Sequence, residues 1–146
     1  MSDDISARPG VVVPVDIYLD ELDLFGMMHY TRYLGLVDRA WIRHWTARGY
    51  HFDTSGRSPD TFALPRQAGI TYDRPIEGHG TVAVRFWSES VGRSSLVTGF
   101  RITPVHEGWA YANGRRTSIK IDPVTRRPAP WTDGARADLE SLLVQP

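Results

Sequence analysis

Residues 20–33 read Asp-Glu-Leu-Asp-Leu-Phe-Gly-Met-Met-His-Tyr-Thr-Arg-Tyr. Asp23 stands three residues before Gly26, and a helical pattern begins near His29. A carboxylate is thereby brought to a helix N-terminus, where backbone N–H groups have no partner inside the helix. Such amides, with the helix dipole, favour negative charge. A carboxylate beside them can attack a polarised carbonyl or activate a water against it. The alternative for Asp23 is a turn or helix cap. Gly26 frees the backbone to turn and lets a substrate come close.

Other candidate chemistry is sparse. Asp20 and Glu21 read as solvated loop acids. His44 falls on the helix, and His51, His79 and His106 fall in loops or turns. No His-Glu-x-x-His spacing occurs, so no metal site is expected. No Gly-x-Ser-x-Gly elbow occurs, which excludes an α/β-hydrolase nucleophile by motif. Arg115 and Arg116 read as a solvated pair or as a grip for a phosphate or an acidic carrier.

The elements that must position Asp23 follow from periodicity. Residues 11–19 are apolar and β-branched and predict a strand. From 29 to 48 the pattern is helical, with Tyr30, Tyr33, Leu34, Val37, Trp41 and Trp45 forming one apolar stripe. Gly49 ends the helix as its C′ residue. Residues 51–60 form a loop by their turn chemistry. The period then changes to two. Strands are predicted over 62–72, 81–90, 94–105 and 109–122, with Asn113-Gly114 marking a bulge or kink in the last. Residues 135–144 predict a short helix entered by Thr132-Asp133. One strand, one long helix and four strands with mostly short links make an α+β pattern, its antiparallel sheet packed on one helix.

Composition bounds the partners. A chain of 146 residues is long enough for one domain with a real core. A flexible tail is expected over residues 1–10 and a single domain over 11–146. The formal net charge is zero, so no broad basic surface points to nucleic acid or to a membrane surface. No apolar run is long enough for a membrane span, and no signal-peptide pattern opens the chain, so a cytoplasmic location is expected. The absence of cysteine excludes disulfides and thiol chemistry. Lys120 is the one lysine among 17 basic residues. That bias fits a GC-rich genome, and it also fits arginines that pair bidentately with phosphate or carboxylate.

The segments taken together resemble the hotdog-fold acyl thioesterases, in particular the 4-hydroxybenzoyl-CoA thioesterase-like family. Residues 23–34 resemble the family pattern of Asp, two variable residues, Gly, a few apolar residues and a helix-opening tyrosine. Residues 72–76 (Tyr-Asp-Arg-Pro-Ile) resemble its tyrosine-to-proline connection, and 91–95 (Val-Gly-Arg-Ser-Ser) its Val-Gly-basic-Ser junction. Residues 119–122 and 126–130 resemble its last strand and the arginine-proline turn behind it. Two positions depart from the pattern. Arg32 stands where the family commonly has asparagine, and His29-Tyr30 reverses the tyrosine-histidine order of some bacterial members.

The resemblance implies a curved antiparallel sheet wrapped around one long central helix. It implies hydrolysis of an acyl-CoA or acyl-carrier-protein thioester, with an aromatic or polyketide acyl group among the options and no cofactor. Asp23 then matches the catalytic carboxylate, the backbone N–H of Tyr30 the oxyanion donor, and His29 lies one residue before it. Phe25, with Met27, Met28, Phe62 and Trp87, is a candidate wall of the acyl pocket. Arg32 stands at the helix start, and Arg93, Ser94 and Ser95 match groups near the pantetheine arm or phosphates. The family also builds its sites between subunits, which implies a homodimer or a tetramer of two dimers. Two other readings compete: a non-catalytic acyl-thioester-binding hotdog protein, and a hotdog dehydratase, whose His-plus-Pro-Gly-rich motif is missing.

Overall fold

The computed structural model describes residues 10–144; most of the expected N-terminal tail therefore lies outside the described residues. Strand β1 (Val11–Ile17) leads through a 3-10 turn, Leu19–Glu21, and a tight loop to a second 3-10 turn, Tyr30–Arg32. Helix α1 (Tyr33–Ala47) follows without a break. Next come β2 (Ala63–Tyr72), β3 (Gly80–Val91), β4 (Ser95–Pro104), β5 (Ala112–Lys120) and α2 (Asp133–Glu140). The five strands form one antiparallel sheet in the order β1-β3-β4-β5-β2.

Alternation decides which face meets the helix. Val13, Val15, Val84, Phe86, Phe100, Ile102 and Ala112 pack on Leu36, Val37 and Ala40 of α1, forming the main core. A smaller cluster, Trp45, Leu96, Trp131 and Leu139, closes the C-terminal end of α1 against α2. Leu36, Val37, Ala40, Val84, Phe86, Phe100 and Ile102 are fully buried, so α1 fills the concave side of the sheet.

The helix keeps its expected end, with Gly49 at φ +96°, but its buried stripe differs. Leu36 and Ala40 are buried, whereas Tyr30 is 63% exposed. Tyr30 belongs to a 3-10 turn, whose three residues per turn put it out of phase with the α-helix that follows.

The last strand is shorter than expected and carries no register shift at Asn113 or Gly114. The irregularities fall instead between Pro65 and Gln67 on β2 and between Ser88 and Ser90 on β3. Gly114 is needed for close approach: a Cβ there would collide with the Gly69 carbonyl oxygen and come within 2.7 Å of the Phe100 ring.

The C-terminal helix also stops early. After Glu140 the chain makes a turn through Ser141 and Leu142, and Leu143 then bridges Ser88 in parallel. The Ser88 N–H donates to Leu142 O (3.0 Å), and the Val144 N–H donates to Ser88 O (3.1 Å). No helix among the described residues is long and apolar enough to cross a membrane.

Candidate active site

The loop before α1 is built from its own backbone. Leu22 bridges Met28, which makes residues 23–27 a tight hairpin. The Asp23 N–H donates to Met27 O (2.7 Å), and the Gly26 N–H donates to Asp23 O (3.1 Å). Gly26 takes φ +76°, a left-handed turn conformation that glycine adopts without strain. The hairpin is laid along residues 76–78 by two bonds, Met28 N–H to Ile76 O (2.9 Å) and Gly78 N–H to Gly26 O (2.8 Å).

Asp23 is held by two amides of this hairpin. Its Oδ1 accepts the N–H groups of Phe25 (2.8 Å) and Met27 (3.1 Å). The capping role of Asp23 is therefore realised, yet only one carboxylate oxygen is used. Oδ2 meets no donor among the described residues.

The helix start is pinned by tyrosines. The Tyr72 hydroxyl donates to Tyr30 O (2.9 Å), and the Tyr33 hydroxyl accepts the Ile76 N–H (3.1 Å). Burial, with Tyr33 and Tyr30 beside it, pushes the Tyr72 hydroxyl above the usual tyrosine range, so it stays a donor. His29 is the N-cap of the 3-10 turn: its Nδ1 accepts the Thr31 N–H at 3.3 Å, and its ring stacks on Tyr30 at 4.8 Å. The Tyr30 N–H meets no acceptor among the described residues. Asp23, His29 and Tyr30 line one open groove of about 400 Å³ with Met27, Tyr72 and Arg74.

The remaining candidates are placed elsewhere. Phe25 is 84% exposed at the hairpin tip, outside the groove wall. Met27 and Met28 do line it. Arg32 is exposed at the N-cap of α1. Arg93, Ser94 and Ser95 sit at the far end of β3, roughly 35 Å along the strand from the end that neighbours the hairpin. There the Arg93 carbonyl accepts the Trp131 N–H (3.1 Å) and the Ser94 carbonyl accepts the Lys120 N–H (2.8 Å). Trp87 points to the opposite face of β3 from Phe86, lying across Gly99.

Glu21 is not a solvated acid. It is 4% exposed and pairs with Arg39 of α1, while its Oε2 accepts the Tyr18 N–H at 2.9 Å. Arg116 is likewise buried and paired with Asp38, because β5 turns every second residue from Ala112 toward the helix. Tyr72 and Arg74 are groove residues, although their sequence marks only a connection. The one available signal is a tyrosine ending a strand two residues before the Arg-Pro turn. No cluster of three or more metal-ligating acids or histidines forms among the described residues.

Solved structures share this architecture over almost their full lengths. A protein of Pseudomonas aeruginosa PAO1 aligns with a TM-score of 0.82 at 17% identity, over 94% of each chain. A thioesterase of Thermus thermophilus, solved with coenzyme A and zinc, aligns with a TM-score of 0.76 at 24% identity, over 96% of this chain and 99% of that one. The chain has the hotdog fold. A third hotdog structure, the 1,4-dihydroxy-2-naphthoyl-CoA thioesterase of Synechocystis, aligns with a TM-score of 0.76 at 13% identity, over 90% of this chain and 96% of that one. Neither a protein-family model nor a curated protein sequence matches this hotdog chain.

Proposed function

We propose that this hotdog chain hydrolyses an acyl thioester to a free acid and a thiol. The observation that carries the reading is the pairing, in one groove, of a carboxylate oxygen and a backbone N–H that are both unpartnered among the described residues. The thioester carbonyl oxygen accepts the Tyr30 N–H, where a helix start stabilises the developing oxyanion. Asp23 Oδ2 then acts at the carbonyl carbon. As nucleophile it forms a mixed anhydride, expels the thiolate, and is released by water. As general base it takes a proton from the water that attacks. The thioesterase names of two hotdog relatives support this reaction class.

The substrate carrier is a coenzyme A or an acyl-carrier protein, and the acyl group is aromatic or polyketide-derived. A complete site needs a second copy of the chain. Arg93, Ser94 and Ser95 are too far from Asp23 to serve the same groove, so they meet substrate only across a dimer. Support comes from the hairpin tip, where Leu24 is 101% and Phe25 84% exposed beside the groove. Apolar groups so exposed favour a covered state.

A panel of acyl-CoAs and acyl-carrier proteins tests the proposal. Asp23→Asn should lower kcat/KM by about 100-fold or more while the fold is kept. Equal turnover by the wild type and Asp23→Asn would remove Asp23 from the mechanism. A second reading, thioester binding without hydrolysis, draws on the cap role of Asp23 Oδ1; it holds if both proteins bind a thioester and neither turns one over.

A further inference from the structure

A second cavity lies along α1 and shares no lining residue with the Asp23 groove. It measures about 270 Å³ and sits among the C-terminal half of α1, the inner faces of β4 and β5, and α2. Trp41, Trp45, Tyr50, Phe52 and Trp131 line it. A dry apolar cavity of about 150 Å³ accommodates benzene, so this one has room for two fused rings.

Two polar atoms in this lining have no partner among the described residues. Trp45 is 5% exposed, and its buried Nε1–H meets no acceptor. Arg116 is 8% exposed; a terminal nitrogen pairs with Asp38, but its buried Nε–H is unmet. Three neighbouring donors are used. Trp131 Nε1–H donates to Ser95 O (3.1 Å), and the Tyr50 hydroxyl donates to Asp138 (2.6 Å). Lys120 Nζ donates to Asp60 and to Pro130 O, each at 2.9 Å. Buried N–H groups in native proteins are rarely left without an acceptor, because their desolvation is then uncompensated. Two such groups at one aromatic-walled cavity call for an acceptor that arrives with a ligand. Aromatic walls suit rings, whose faces and edges pack on one another. The Arg116 cation favours an anionic oxygen.

We infer that this cavity binds a fused-ring aromatic carboxylate, its rings among the tryptophans and its carboxylate accepting from Trp45 Nε1–H and Arg116 Nε–H. The inference does not depend on the hydrolase reading. Titration of the full chain with 2-naphthoate, naphthalene and decanoate, followed by calorimetry and tryptophan fluorescence, tests it. We expect 2-naphthoate to bind about tenfold more tightly than either other probe, the scale of one or two hydrogen bonds. Trp45→Phe keeps a ring and removes the N–H, so it should erase most of that preference. Ile42→Trp, at the exposed rim, should block all three probes without touching the core. Asp23→Asn should bind 2-naphthoate as the wild type does, whatever its turnover. Failure of 2-naphthoate to bind, as when a second copy of the chain fills the cavity, overturns the inference. So does equal affinity for naphthalene or decanoate, or an unchanged preference in Trp45→Phe.

Discussion

Glu21 and Asp23 are two residues apart and have opposite surroundings. Burial pushes the Glu21 carboxyl up, but the Arg39 hydrogen bond, the Tyr18 N–H and the Arg39 charge together hold it below the usual glutamate range. Glu21→Gln should therefore cost about 1–3 kcal/mol of stability, measured by urea unfolding near neutral pH. A lowered carboxyl gives its full stabilisation above the unfolded value of 4.5 and loses it as pH falls through the lower folded value. The wild-type advantage over Glu21→Gln should accordingly shrink on acidification below that value; an advantage constant with pH would refute the ion-pair account. Asp23, Gly26, His29 and Tyr30 are legible in the sequence because one hairpin and one turn place them all. Glu21 is not, since its partner Arg39 stands 18 residues away on α1.

At the scale of elements, period two is plain on β3 and incomplete on β5. Hydrophobic alternation exposes Val82, Val84 and Phe86 as an inward row. The inward row of β5 is Ala112, Gly114, Arg116, Ser118 and Lys120, which carries no apolar signature. Its charges are buried because α1 and the loop before β2 supply Asp38 and Asp60. Lys120 and Asp60 are 7% and 9% exposed in their side chains, and the Thr132 N–H and hydroxyl also donate to Asp60. Asp60→Asn leaves the Lys120 charge buried without its counterion and should destabilise by about 3 kcal/mol in chemical unfolding. Amide exchange should quicken first around residues 130–136. Gly114→Ala is expected to cost about 1–3 kcal/mol by overpacking against Gly69 and Phe100. A wild-type unfolding midpoint in that variant would show that the β2–β5 contact can give way.

For the whole molecule, the fold is readable from element order: one strand, one long helix and then four strands leave few layouts besides a sheet around a helix. Assembly is an expectation from the resemblance and from the sheet edges that one helix leaves uncovered. The edge strand β2 is exposed along most of its length and, among the described residues, pairs only with β5, and such edges invite another strand. Sedimentation should give at least twice the single-chain mass of 16.5 kDa. Leu24→Lys combined with Phe25→Lys should shift the population toward single chains and lower thioester turnover with it. A monomeric, fully active wild type would show that one groove suffices.

The pairing of residues 142–144 with Ser88 has a topological consequence. Val11 pairs with Phe86 on the flank of β3 where Leu143 meets Ser88, so the two ends of the described chain abut along one strand. Their junction behaves as a seam in a ring. A circular permutant that joins residue 144 to residue 10 through a short flexible linker, and opens the chain at exposed Gly56, should fold with the same sheet order. The order in which the strands are synthesised would then be free to change while the Asp23 hairpin stays on its helix.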